Sequence, residues 1–331
     1  MTKVLVAWSG GKDSQASLIW ACKKYGAKNV DAIFCDTGWE NPITYLHVVD
    51  ICEQMGVPLT ILRSSKYDGF EDLANKKKRF PSTKARFCTE ELKTKPMIDH
   101  ILSLRDHLII VQGIRADESN ARALMAKQCR YFKYYFTPYT DNISKVKTLE
   151  KAMRKNKTDK QVKKLEKLKE RLRNGKLDEK YHTYRKKEVF EWCSRFSDDV
   201  HRPYFDKQAS EVMNDIFAAG QKPNKLYYMG RARVGCDPCI MCRHSEVKAM
   251  VKFTPESVER LRNAEKRLGR AFFPPKYIPN RYCTGRDRNG KVFPVVDDVI
   301  NYLTGGEYVP ELFAEHEKEE HRCMSFYGIC E

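Results

Sequence analysis

The order of apolar and polar positions sets out a strand–helix repeat along the first third of the chain. Val4, Leu5, Val6 and Ala7 form an apolar run that passes through Trp8 into a Ser-Gly-Gly-Lys-Asp-Ser turn. Ala16, Leu18, Ile19 and Cys22 then follow at helical spacing. A second strand is expected over Val30–Thr37, and a helix over Pro42–Met55 with Tyr45, Val48, Val49 and Ile51 at its apolar positions. Further strands are expected over Pro58–Arg63 and Leu108–Gly113. Strands alternating with helices imply right-handed crossovers, so the pattern predicts an α/β fold built on a doubly wound, mostly parallel sheet. In such a sheet ligands sit beyond the carboxyl ends of the strands. That rule brings Ser9–Ser14, Asp36-Thr37-Gly38 and Gly113-Ile114-Arg115 to one rim.

The pattern changes after Thr140. Val146, Leu149 and Met153, then Val162, Leu165, Leu168 and Leu172, mark two apolar stripes at helical spacing with a turn over Asn156–Asp159, which predicts a helical hairpin. Farther on, helices are expected over Asp206–Ala219, stopped by Gly220, and over Thr254–Gly269, before the break at Pro274-Pro275. The organisation that follows is a nucleotide-binding α/β region over 1–140, a helical-hairpin insertion over 141–190, and a helical, cysteine-rich region over 191–331 that completes the fold.

Charge sharpens this picture. The 331 residues carry 61 Lys and Arg against 44 Asp and Glu, a net charge of +17, which favours a polyanionic partner. Residues 141–188 hold 18 of the bases and 8 of the acids, so most of the excess lies in the predicted hairpin. The hairpin reads either as a clamp on nucleic-acid backbone or as a solvated pair of helices docked by its leucines. No stretch of some 18 apolar residues appears, and the chain enters a strand without a signal peptide. A cytoplasmic protein with no membrane association is expected.

The candidate chemistry begins at the first turn. Gly10 and Gly11 allow close approach to the backbone, the first-turn amides of the helix lack intrahelical partners, and the helix dipole adds positive charge. Lys12 supplies a full charge and Ser9 and Ser14 supply hydroxyls, so Ser9, Gly10, Gly11, Lys12, Asp13 and Ser14 form a candidate phosphate loop. The spacing of a Walker A loop is absent. On the same rim, Asp36 can accept from ribose, adenine or a magnesium-bound water, or simply cap the next turn, and Thr37 and Gly113 stand beside it. Arg115 and Arg122 can grip phosphate or sulfate bidentately, or form local ion pairs with the acids between them.

Twelve cysteines in a chain of this length and type point to metal or redox chemistry rather than disulfides. Cys22, Cys35 and Cys52 lie in apolar segments and read as small hydrophobes. Cys236, Cys239 and Cys242 stand at Cys-x2-Cys-x2-Cys spacing, where three thiolates turned into one loop suit iron–sulfur or zinc.

Ser9–Ser14, Asp36-Thr37-Gly38, Arg86-Phe87-Cys88-Thr89 with Leu92-Lys93 and Pro96, Gly113-Ile114-Arg115 with Glu118-Ser119 and Arg122, and Leu226-Tyr227 through Gly235-Cys236-Asp237-Pro238-Cys239 occur in the order seen in the phosphoadenosine phosphosulfate reductase family. The resemblance spans roughly residues 3 to 242, and the first loop resembles the PP-loop of the ATP pyrophosphatases. It implies an adenine-nucleotide α-hydrolase fold, Rossmann-like in layout. It also implies an adenine-nucleotide substrate, with Lys12, Asp13, Arg115 and Arg122 as catalytic candidates. Some members reduce sulfonucleotides; others resemble ATP pyrophosphatases, including iron–sulfur proteins of DNA phosphorothioation. The unbroken loop favours the second group: ATP with Mg²⁺, cleaved to AMP and pyrophosphate to activate an acceptor, expected to be nucleic acid, for sulfur delivered by a donor protein. The other expectations are sulfite release from adenosine phosphosulfate or its 3′-phosphorylated form, and a nucleic-acid-binding defence subunit that only senses ATP. Members that reduce adenosine phosphosulfate hold their cluster with an early Cys-Cys pair and a late Cys-x2-Cys pair. Here the early position has Cys88 alone and the late one gains Cys242, so the resemblance implies a four-iron four-sulfur cluster on Cys88, Cys236, Cys239 and Cys242. Zinc, and Cys283 in place of Cys88, are the alternatives. The tail, with its acidic Glu315–Glu320 run, Cys323 and Cys330, does not match the reductases' Glu-Cys-Gly-Leu-His ending.

Overall fold

The structure is a computed structural model that describes residues 2–83, 85–134, 142–154, 158–174, 184–287 and 290–305. The expectations for Glu315–Glu320, Cys323 and Cys330, and for part of the hairpin turn, lie outside these residues. Strand β1 (Thr2–Ala7) leads to helix α1 (Lys12–Tyr25), then β2 (Val30–Cys35), α2 (Pro42–Met55), β3 (Leu59–Leu62) and α3 (Phe70–Lys77). A broken helix follows: α4 (Phe87–Thr89), one π-helical turn (Glu90–Thr94) and α5 (Lys95–Ser103), before β4 (His107–Gln112). Beyond come α6 (Asn120–Ala123), β5 (Gln128–Cys129), α7 (Asn142–Met153), α8 (Asp159–Arg173), α9 (Lys186–Arg195), β6 (Asp198–His201) and α10 (Ala209–Ala218). The last described elements are α11 (His244–Phe253), α12 (Pro255–Leu268), a two-strand hairpin of β7 (Gly285–Arg286) and β8 (Val292–Phe293), and α13 (Val296–Thr304).

The six-stranded sheet has the order β3-β2-β1-β4-β6-β5, parallel except for the antiparallel edge strand β5. Central β1 pairs on both sides, Val4 with Val30 of β2 and with Ile109 of β4. Both its faces are therefore covered, which is why its sequence is a continuous apolar run and not an alternating one. Val4 and Val6 pack under α1 and α2, while Leu5 faces Ile101 of α5 and Trp192 of α9 on the opposite side. Helix α2 starts and stops as its sequence dictates: the Asn41 side chain accepts from the Ile43 amide at 2.9 Å, Pro42 fills the first turn, and Gly56 ends it at φ +62°.

The chain turns from one side of β1 to the other between β3 and β4, so the crevice above the carboxyl ends of β1 and β4 is the topological switch point. The loops after these strands touch there. A separate apolar cluster joins α3, α11, α12 and α13 around Phe70, Leu73, Met250, Leu261 and Val299, and forms a wall beside that crevice. The half-buried Val162, Leu165 and Leu172 and the buried Leu168 make the apolar stripe of α8, which packs against α7, with Lys169 paired to Glu150 at 2.7 Å. Among the described residues no helix is long and apolar enough to cross a membrane.

Candidate functional site: one cavity between the phosphate loop and four cysteines

A cavity of about 340 Å³ opens at the switch point. Its near wall is the β1–α1 loop, with Ser9, Gly11, Lys12, Asp13 and Ser14 in the lining, together with Thr37 and Gly113. The loop is fixed from within: the Ser14 hydroxyl donates to the Gly11 carbonyl at 2.8 Å, and the Ser9 amide donates to Ser14 Oγ at 3.2 Å. Tyr227 closes it from the far end of the chain, accepting the Lys12 amide proton on its Oη at 3.0 Å. Gly10 sits behind the loop at φ +77°, where a Cβ would lie 2.8 Å from the Thr44 methyl. Gly113 is held tighter, because a Cβ there would lie 2.5 Å from the Asp13 carbonyl carbon and the Ser14 nitrogen. It is the contact point of the two loops.

The charged groups divide between the cavity and its support. Lys12, only 4 % exposed, places its ammonium 3.3 Å from Asp13 and 5.4 Å from the Tyr227 ring centroid. Asp13 is shared with Arg115, whose Nε donates to it at 2.5 Å while Nη1 reaches Asp117 at 2.5 Å. Buried and doubly engaged, Arg115 is absent from the cavity lining and forms the local ion pairing that was the other reading of its sequence. Asp36 is likewise withdrawn. Burial pushes its pKa up, but the Tyr45 hydroxyl at 2.6 Å, the Gly38 amide and the Arg63 guanidinium outweigh that and hold it below the usual carboxylate range. Arg122 does line the cavity, ion-paired to Glu118, and Arg86 and Arg233 line it too. Burial, and then the nearness of Arg233, depress the pKa of Arg122, with Arg86 and Arg115 adding to the repulsion, so positive charge converges at this end.

The opposite wall is sulfur-rich: Cys88, Cys236, Cys239 and Cys242 all line the same cavity, with Lys93 of the π-helical turn among them. Cys283 is buried in the C-terminal cluster and is not in the lining. Burial pushes the Cys236 thiol up to about 12 against the pull of Lys93, and raises Cys88 and Cys242 as well. Lys93 is itself raised, chiefly by Cys236. The cysteine loop is pinned to the β2–α2 turn. Glu40, 1 % exposed, accepts from the Thr37 hydroxyl at 2.7 Å and from the Cys236 thiol at 3.7 Å, and the Asp237 amide donates to the Trp39 carbonyl at 2.8 Å. Arg231 and Asp237 form a buried pair at 2.8 Å beneath it. As donors, four thiols with a neighbouring ammonium suit a thiolate-ligated centre. Among the described residues no three His, Cys, Asp or Glu side chains converge on one ion position.

The residues that sequence reasoning assigned no site role are Arg86, Tyr227, Arg233 and Glu40. The first three fall inside the stretches that carry the family resemblance; nothing local marks Glu40.

Residues 3–131 match the model of the phosphoadenosine phosphosulfate reductase domain. The full chain is 27 % identical, over 99 % of its length and 96 % of the relative's, to an uncharacterized 37.8 kDa protein of Escherichia phage 186. It is 31 % identical to a nin region protein of Escherichia phage lambda over 34 % of this chain and 48 % of that protein. Among solved structures, a phosphoadenylyl-sulfate reductase from Candida auris in a phosphate complex aligns over 70 % of this chain and 80 % of that one, with a TM-score of 0.39 and 16 % identity.

Proposed function

We propose that the protein is an ATP-using PP-loop enzyme that cleaves ATP between the α and β phosphates and so activates an oxygen of a nucleic acid for replacement by sulfur. The observation that carries this reading is that a single cavity is lined on one side by Gly11–Ser14 and on the other by four thiols, with Arg86, Arg122 and Arg233 between. A triphosphate presents a pyrophosphate leaving group, and fixed positive charge on that group is the larger part of phosphoryl-transfer catalysis. Lys12 and the Asp13 and Ser14 amides, which have no intrahelical partner, would meet the β and γ phosphates, and Mg²⁺ would add charge stabilisation to the leaving group. Arg115 and Tyr227 act indirectly, one by orienting Asp13 and the other by fixing the Lys12 backbone. An acceptor oxygen attacks the α-phosphorus, the bridging P–O bond breaks, and pyrophosphate leaves with the electron pair; a sulfur nucleophile then displaces AMP from the adenylylated acceptor. The basic α7–α8 pair would hold nucleic-acid phosphates, and a sulfur-donor protein completes the reaction.

Cys88, Cys236, Cys239 and Cys242 would hold a four-iron four-sulfur cluster, which supplies redox capacity beside the nucleotide. The second reading is a sulfonucleotide reductase, since the three arginines would equally receive a sulfate. Incubating the protein with α-labelled ATP and Mg²⁺, and separately with adenosine phosphosulfate and thioredoxin, decides between them. AMP with pyrophosphate is expected from the first incubation; sulfite from the second, with ATP left intact, would replace this reading by the reductase one.

A further inference from the structure

A second open cavity, of about 600 Å³, lies away from the nucleotide loop, between the carboxyl end of α12, the β7–β8 hairpin and the start of α13. Gly285 shapes it: a Cβ there would lie 2.4 Å from the Phe293 ring, so only glycine lets that ring close the hairpin side of the groove. The charges around it are unequal in their engagement. Its three acids are all occupied. Glu265 accepts from the Phe272 and Val296 amides at 2.7 and 2.9 Å, and Glu259 and Asp297 are both held by Arg262, at 3.1 and 2.6 Å. Lys266, Arg270 and Arg286 line the same groove, are exposed, and have no hydrogen bond or ion pair among the described residues. Two of them stand where α12 ends, Lys266 in its last turn and Arg270 past the Gly269 cap, and Arg286 is on β7. Three exposed cations free to meet phosphates, beside acids whose oxygens are already engaged by Arg262 and by backbone amides, fit an extended anion that can exchange counterions.

We propose that this groove binds the phosphodiester backbone of a nucleic acid, with Lys266, Arg270 and Arg286 each meeting a phosphate. This rests on the reading of nucleic acid as the acceptor and adds a place for it. Helix α12 runs from the groove toward the cysteine loop: Arg260, earlier on the same helix, donates to the Trp39 carbonyl at 3.1 Å, the Glu40 carbonyl at 3.3 Å and the carbonyl of Asp237, which lines the nucleotide cavity, and Arg267 pairs with Glu71 of α3. Helix α12 therefore belongs both to the groove and to the apolar wall on which the cysteine loop packs.

Binding of fluorescein-labelled duplex and single strand, followed by anisotropy across a salt series, tests this on the full chain. The variant Lys266→Gln/Arg270→Gln/Arg286→Gln removes only exposed side chains, and a thermal melt checks its fold. Each phosphate contact contributes about 0.9 to the log–log salt slope, so the variant is expected to lose about 3 units of slope on the preferred strand. Arg286→Glu alone is expected to weaken binding about tenfold or more. An unchanged slope with binding retained overturns the groove while leaving nucleic acid as the acceptor. No binding by the wild type overturns both. Equal affinity for inorganic tripolyphosphate, lost in the same variant, would assign the groove to a free polyphosphate and overturn the nucleic-acid proposal.

Discussion

Replacing Gly113 by alanine tests the contact on which the nucleotide site is built. The added Cβ would lie 2.5 Å from two backbone atoms of the first turn of α1, and 2.6 Å from the Asp13 carbonyl oxygen. Real Cβ atoms essentially never approach closer than 3.0 Å, so the two loops must part by the missing 0.5 Å, and no flexible side chain is there to give way. The β1–α1 loop is tied by Tyr227 to the Lys12 amide at 3.0 Å and by Arg115 to Asp13 at 2.5 Å, and movement loosens one of these. Overpacking of this kind costs about 1–3 kcal/mol. Borne by the nucleotide-competent loop, that is a loss of roughly 5- to 150-fold in affinity. Gly56→Ala is the control: its φ of +62° makes the substitution straining to the backbone, but nothing lies within 4 Å of the added Cβ and the residue is at the far end of α2. It should lower Tm while leaving nucleotide affinity unchanged. Calorimetric titration with a non-hydrolysable ATP analogue reads both variants. A Gly113→Ala protein that binds the analogue as the wild type does would refute the reasoning.

Four further outcomes follow from the geometry. Arg115→Met removes one of the two buried cations on Asp13, leaving Lys12, and should cost about 2–4 kcal/mol in urea unfolding, below the full value for a buried pair because Lys12 remains and Asp117 is half-exposed; a loss under about 0.5 kcal/mol would contradict it. Burial raises the Glu265 carboxyl from 4.5 to about 6, against the pull of the Phe272 and Val296 amides. The folded state therefore favours its protonated form, and its stability contribution, complete below pH 4.5, is lost as pH rises through 6. The stability difference between wild type and Glu265→Gln should change by about 2 kcal/mol over that window, and a flat difference would contradict the assignment. Anaerobically purified protein should carry iron that Cys88→Ser loses, and full iron content in that variant would remove Cys88 from the ligand set. Deleting α7–α8 should flatten the salt dependence of nucleic-acid binding, and an unchanged slope would clear the hairpin of that role.

Much of the sheet was legible because its cause is local. Helix α2 falls on its expected ends, since Asn41, Pro42 and Gly56 are start and stop signals written in adjacent residues. The four parallel strands expected within the first 113 residues appear within two residues of their expected bounds. Strand β5 was not legible, because two residues, Gln128 and Cys129, show no alternation, and its pairing partner Val200 is far along the chain. The helix from Phe87 onward is broken by a π turn that no spacing announces, yet that turn carries Lys93 into the cavity. In the site, residue types were readable and their engagement was not. Arg115 and Arg122 look equivalent in sequence, but one is buried on Asp13 and the other lines the cavity. Tyr227 reaches Lys12 across 215 residues, a contact only the folded chain defines. Cys88 of α4 lines the same cavity as Cys236, Cys239 and Cys242, whose loop is pinned to the β2–α2 turn through Glu40 and Trp39, and neither juxtaposition has a local signal.

The central claim is that one cavity serves both the nucleotide and the four thiols. A crystal grown anaerobically with a non-hydrolysable ATP analogue and Mg²⁺, with anomalous data collected at the iron edge, tests it directly. The expected map has the β and γ phosphates against Gly11–Ser14 and Lys12, and iron scattering enclosed by Cys88, Cys236, Cys239 and Cys242. Nucleotide density elsewhere on the sheet, or no metal scattering between those thiols, would contradict it.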